Sequence, residues 1–139
     1  MFTARLSIDQ YRQVGIATDV AQASPHQLIV LLFDGAIAAL QQARHAIAHQ
    51  DADTRRRATS KAMRIIDEGL KAAVSSRGDA ALAANLNALY DHMVGRLFQA
   101  NARGIEAPLA EVGQLLEQLR SAWVAITPRP LPQSQAVRA

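Results

Sequence analysis

Apolar positions in this chain recur in three- and four-residue steps instead of alternating, which is the spacing of helices and not of strands. The longest stripe runs through Leu82, Leu86, Leu89, Met93, Leu97 and Ala100. A second passes through Val112, Leu116, Leu119, Trp123 and Ile126, and a third through Ala58, Ala62, Ile66, Gly69 and Ala73, widened by Leu70 and Val74. Such steps make one buried face per helix, the seam of a bundle. Start and stop signals divide the pattern. Ser24-Pro25-His26-Gln27 offers an N-cap, a proline where its missing N–H costs nothing, and a capping-box glutamine. Asp53 and Asp79 are cap candidates, Pro108 opens a last helix, and Gly104 is a stop. The pattern predicts helices over 25–49, 54–74, 79–103 and 108–126 in an all-α, antiparallel four-helix bundle. All lie in a single domain, 1–126. Ser7 to Ala21 carries only a weak stripe (Ile8, Tyr11, Val14) before Gly15 interrupts it, so residues 1–22 read as a short helical appendage. Pro128, Pro130 and Pro132 place a disordered tail at 127–139.

One predicted helix does not fit the bundle pattern. A bundle helix needs about 100° of apolar arc, yet Leu28, Ile29, Val30, Leu31, Leu32, Phe33, Ala36, Ile37 and Leu40 cover most of the circle, with Asp34 the only charge between Leu28 and Leu40. Composition supports helices over strands: half the residues are hydrophobic but only 4% are aromatic. At 139 residues, folding buries roughly 68% of the surface exposed by the unfolded chain, enough for one core. There are no cysteines, which removes disulfides and thiolate chemistry and fits a reducing compartment. The start of the chain lacks a charged segment followed by an apolar core of the secretory kind, and the 13-residue run is too short to span a bilayer. The reading is a cytoplasmic protein with no membrane insertion.

Charge and motifs narrow the chemistry. The pI near 10.0 exaggerates the positive field, because the net charge is only +3 and 13 of the 15 basic residues are arginines. Arg55, Arg56 and Arg57 form the one dense basic cluster, but no aromatics interleave them for base stacking, and nucleic acid is not expected as a partner. No Gly-rich phosphate loop is present. His45 and His49 share a helix face, but no glutamate stands between them and no third ligand joins them, so no metal or other cofactor is expected. Adjacent Asp67 and Glu68 diverge around a helix and pair more naturally with Arg64 and Lys71 across turns than with each other as an acid–base couple. His92 beside Asp91 invites comparison with histidine phosphotransfer bundles, although Gly95 and Arg96 follow it in a poorer order for that role. No enzyme is indicated.

Excess apolar surface is the strongest remaining signal. A central helix covered by its neighbours and the N-terminal segment explains it, as does weak self-association into a regulatory homodimer. A groove that takes a partner's apolar helix explains it equally well.

Four stretches in order also resemble a known family. "YRQVGIATDVAQASPHQLIVLLFDGAIAAL", "IIDEGLKAA", "LAANLNALYDHMVGRLFQAN" and "LLEQLRSAWVAI" are similar to FliS, the flagellar export chaperone that binds flagellin, over residues 11 to 126. The resemblance implies a non-enzymatic cytoplasmic bundle that holds the C-terminal region of flagellin before type III export, prevents premature polymerisation and keeps it export-competent. It also implies an N-terminal stretch, here Ile8 to Val14, that covers part of the groove until the client arrives, and contacts with the export gate and other flagellar proteins. The sequence departs from the family at His92, where a tyrosine is usual, and at "VSSRGDA". Candidate client contacts are Tyr11 and Val14 in the cover, Leu28, Leu32 and Ile37 in the over-apolar helix, Ile66 and Leu70 in the next, and Tyr90 and Val94 in the one after. Leu86, Leu97, Leu116 and Trp123 are expected in the core.

Overall fold

A computed structural model of the chain describes residues 24–74 and 79–126. All regular structure among them is helical: α1 Pro25–Ala48, α2 Ala52–Arg64, a π-helical segment Ile65–Leu70, α3 Lys71–Val74, α4 Ala80–Arg103 and α5 Ala107–Ala125. The backbone stays right-handed helical at Ile65 and Lys71, so α2, the π segment and α3 form one rod. The resulting four rods pack as the expected antiparallel bundle. The appendage at 1–22 and the tail at 127–139 lie outside the described residues.

Local chemistry sets the rod ends. Ser24 and Gln27 form the capping box, with Gln27 N–H donating to Ser24 Oγ at 3.1 Å and Ser24 N–H to Gln27 Oε1 at 2.9 Å. Asp79 caps α4 through Leu82 N–H at 3.0 Å. Gly104 ends α4 in the left-handed region at φ 68°, where a side chain would be strained. The second rod starts earlier than predicted, because Asp51 is the cap and not Asp53. Thr54, three residues on, offers Asp51 both its hydroxyl at 2.7 Å and its N–H at 3.1 Å, and these bonds hold the Asp51 carboxyl below its ordinary pKa. Asp53 instead pairs with Arg56.

Contacts between rods establish the antiparallel order. Arg55 donates to the Asn101 carbonyl at 3.1 Å near one end of the α2–α4 pair, and Lys71 meets Asp91 at 2.5 Å nearer the other. Arg44 reaches Glu106 at 2.7 Å just before α5, while Arg120 in its second half reaches back to Asp34 at 2.6 Å. These half-exposed pairs fix register more than they add stability.

α1 sits between the α2 rod and α5, and α4 closes the other side against the same two. This arrangement accounts for most of the over-apolar helix. Ile29, Leu32, Phe33, Ala36, Ala39, Leu40, Ala43 and Ala46 are buried, and Leu28, Leu31, Ile37 and Ile47 pack half-buried against the core. The alanines bring the rods close, and the π segment widens the facing stripe. There the Lys71 N–H bonds to the Ile66 carbonyl, five residues back, and the wider turn lets the adjacent pairs Ile65–Ile66 and Gly69–Leu70 all be buried. Gly69 is the point of closest approach, since a Cβ there would lie 2.9 Å from a Leu32 methyl.

Two glycines therefore predict opposite responses. A Cβ added at Gly95, on the outer face of α4, would meet nothing within 4 Å, so Gly95→Ala gains helix propensity of roughly 0.8 kcal/mol and raises the thermal midpoint by roughly 3 °C. At Gly69→Ala the same gain is outweighed by overpacking against Leu32, for a net loss of about 1 kcal/mol. Thermal and urea melts followed by circular dichroism check both signs.

Candidate functional site

Packing is uneven along the bundle. In α4 full burial begins only at Tyr90, and in α5 it ends at Leu116. The seams continue past those points with the same periodicity, but Leu82 is 53% exposed and Ile126 54%. Because the rods are antiparallel, the start of α4 and the end of α5 lie at the same end of the bundle as the start of α1 and the end of α3. Four incompletely covered stripes meet there.

The result is a groove of about 380 Å³. Ile29 and Phe33 come from α1, Leu70, Ala73 and Val74 from the second rod, Leu82, Ala83, Leu86 and Tyr90 from α4, and Trp123 and Ile126 from the end of α5. Asp79, whose carboxylate caps α4, is the one charged residue in the lining among the described residues. Such a surface has little with which to hold a polar ligand and much to bury an apolar one. A second cavity between α1 and α5, about 440 Å³, has a polar lining that includes Gln41, Arg44, Gln114, Glu117 and Gln118. Arg44 there is already committed to Glu106.

The sequence-predicted contacts scatter across this geometry. Leu70 and Tyr90 line the groove, each with only a sliver of surface. Leu32 and Ile66 are sealed in the core at 0% exposure, out of reach of any partner while the bundle is closed. Ile37 borders the polar cavity. Leu28 and Val94 are half-buried against the core outside the groove lining, and Tyr11 and Val14 lie outside the described residues. Leu97 and Leu116 are core residues as expected. Leu86 and Trp123 are only partly buried: both pack against the core as expected, but each also lines the groove, because the neighbouring rods do not close over their end of the seam. Periodicity alone does not pick out Ile29, Phe33, Val74, Leu82 and Ile126 as groove residues. The signal that finds them is their shared level at one end of an antiparallel bundle.

The histidine sites offer little chemistry. His45 and His49 are exposed on one face with ring centroids 4.1 Å apart, and among the described residues no cluster of three metal-ligating side chains occurs. His92 Nε2 lies 3.3 Å from Glu111 on α5, a carboxylate that would repel a phosphoryl group. Arg96, and after it His92, hold the Glu111 carboxyl below its ordinary range. Among the described residues no helix is long and apolar enough to cross a membrane.

A family model described as flagellar protein FliS matches residues 7–130. The chain belongs to the FliS family. It is 44% identical over 129 residues to the flagellar secretion chaperone FliS of Salmonella typhimurium, covering 93% of this chain and 95% of that protein. The flagellar secretion chaperone FliSB of Pseudomonas aeruginosa is 38% identical over 124 residues, 89% of this chain and 98% of that one. FliS of Bacillus subtilis is 32% identical over 113 residues, 81% and 80% of the two chains. These relatives are named as chaperones and not as enzymes.

Tyr90 makes the floor of the groove testable by pH. Burial pushes its phenol up from 10.0 to about 12. Below pH 10.0 the folded and unfolded states are both largely protonated there and nothing changes. Between pH 10.0 and about 12 the unfolded state releases the proton first, so stability falls with rising pH by up to roughly 2–3 kcal/mol. Denaturant unfolding across that window should show the decline, and Tyr90→Phe should flatten it.

Proposed function

We propose that this chain is a cytoplasmic chaperone of flagellar type III export that takes the C-terminal region of flagellin into the groove. The client is thereby kept from polymerising and held in an export-competent state. The observation that carries the reading is an apolar groove built from four rods and left open at one end of the bundle, in a chain whose relatives are named flagellar secretion chaperones. Blocking works by occupation: the apolar stripe a flagellin segment would turn toward its neighbours is buried here instead, and no bond is made or broken.

Magnitudes favour a helical client over a single inserted side chain. A segment that orders on binding loses roughly 2–5 kcal/mol, while each apolar side chain it buries returns about 2 kcal/mol. One residue does not offset the ordering, whereas three or more spaced along a helix do. Residues 1–22 act as the removable cover, with Tyr11 and Val14 as its apolar contacts. Leu28, Ile37 and Val94 extend the client contact along α1 and α4, and Leu70 and Tyr90 form part of its floor. Leu32 and Ile66, sealed in the closed bundle, reach the client only if the bundle opens. The loaded chaperone then meets the export gate and other flagellar proteins.

A titration with a synthetic flagellin C-terminal peptide tests the reading directly, because Trp123 is the only tryptophan and reports from the groove wall. Leu82→Glu or Leu86→Glu should weaken peptide binding at least about tenfold, the scale of placing a charge against buried apolar surface. Ile105→Ser, at a residue 41% exposed between α4 and α5 and outside the groove lining, should leave it unchanged. Equal affinity in folded Leu86→Glu rejects the groove as the client site.

Deleting residues 1–17 tests the cover. Peptide affinity should hold or rise, and binding of an apolar dye should increase. A dye signal identical to that of the full chain counts against a cover.

A further inference from the structure

The start of α1 and the last turn of α5 are joined by a reciprocal clasp. His26 Nε2 lies 3.0 Å from the Trp123 carbonyl, and Trp123 Nε1 donates to the His26 carbonyl at 3.1 Å. The two rings stack with centroids 5.0 Å apart and 17° between planes. A carbonyl only accepts, so the His26 tautomer in this contact carries its proton on Nε2.

The clasp holds a turn with few buried contacts. Beyond Leu116 no described residue of α5 is fully buried, and Val124 and Ile126 stand about half-exposed at 48% and 54%. Helix ends of this kind fray first. Yet Trp123 and Ile126, the residue that follows α5, are what this end contributes to the groove. The Trp123 carbonyl that His26 engages also accepts the Ile126 N–H at 3.2 Å, so one acceptor ties both the helix end and the clasp. Asp34–Arg120 joins the same two rods about one turn further in along α5 and about two along α1. His26 itself does not line the groove and acts on it only through Trp123.

We propose that His26 is a positioning residue for the groove: by stacking on Trp123 and bonding its carbonyl, it holds the α5 wall in place and so sets the groove's width. The affinity half of this inference rests on the flagellin reading; the half concerning the wall does not. The interactions are separable by substitution. The His26 carbonyl accepts from Trp123 whatever side chain stands at 26, and the Ser24–Gln27 capping box is untouched. His26→Ala therefore removes the stack and the donated bond, His26→Phe restores the stack, and His26→Gln restores a donor.

The test uses the full chain, well below its thermal midpoint, with acrylamide quenching of Trp123 fluorescence and titration with the flagellin C-terminal peptide. His26→Ala should raise the quenching constant about twofold as the last turn loosens, and weaken the peptide about fivefold, the scale of one neutral hydrogen bond. His26→Phe and His26→Gln should each fall between Ala and the natural chain. If the Ala variant does not fold, those two are compared with the natural chain for the same changes in smaller measure. Unchanged quenching in a folded variant, with only the thermal midpoint lowered, leaves His26 a merely structural residue and overturns the proposal. Raised quenching with unchanged affinity overturns the claim that the clasp sets the groove. If the natural chain binds no peptide, the flagellin reading fails, and the clasp is decided by quenching alone.

Discussion

Burial of α1 between the α2 rod and α5 is the constraint from which the rest of the structure follows. A helix apolar around most of its circumference is stable in water only if at least two neighbours cover it. Its alanines at 36, 39 and 43 share one core with Ala58 and Ala62 of the second rod, and small side chains there let the two backbones come close. The missing side chain at Gly69 makes room for Leu32, and the π segment turns two adjacent pairs of residues inward. Once α1 has fixed the spacing of the two rods on either side of it, α4 can complete the bundle only by packing against both.

The same constraint explains why the bundle is closed at one end and open at the other. Toward the α1–α2 turn, Met93, Leu97, Ala100, Leu109, Val112 and Leu116 have essentially no exposed surface. Toward the other end α4 and α5 keep their apolar stripes but lose full coverage, and Ile29 and Phe33 of α1 form the back wall of the space that remains. Among the described residues the groove is thus a continuation of the core that no fifth element covers. The end of α5 that walls this groove has no fully buried residue among those described, and it is joined to α1 by the His26–Trp123 and Asp34–Arg120 contacts.

Polar interactions in this molecule align the rods and do not drive their association. Asp34–Arg120, Arg44–Glu106, Lys71–Asp91 and Arg96–Glu111 each join different rods or the approach to one, with side chains partly in solvent. Individually such pairs contribute little; together they select one antiparallel register.

Much of the fold was legible in the residues themselves. The Ser24 capping box, the Asp79 cap and the Gly104 stop act within a few residues of chain, so their outcome does not depend on distant packing. At the start of the second rod two aspartates compete for the cap, and Asp51 prevails over the expected Asp53 because Thr54 stands three residues ahead of it. Periodicity determined which face of each helix is apolar, and the excess on α1 showed that one partner face would not suffice. What it could not decide is how far along a seam the neighbouring rods reach: Leu86 and Leu97 share one stripe, as do Trp123 and Leu116, yet in each pair one member is a groove wall and the other is core. That distinction belongs to the tertiary structure, because exposure at a seam position depends on the distance between rods at that level, which is set by side chains on other helices.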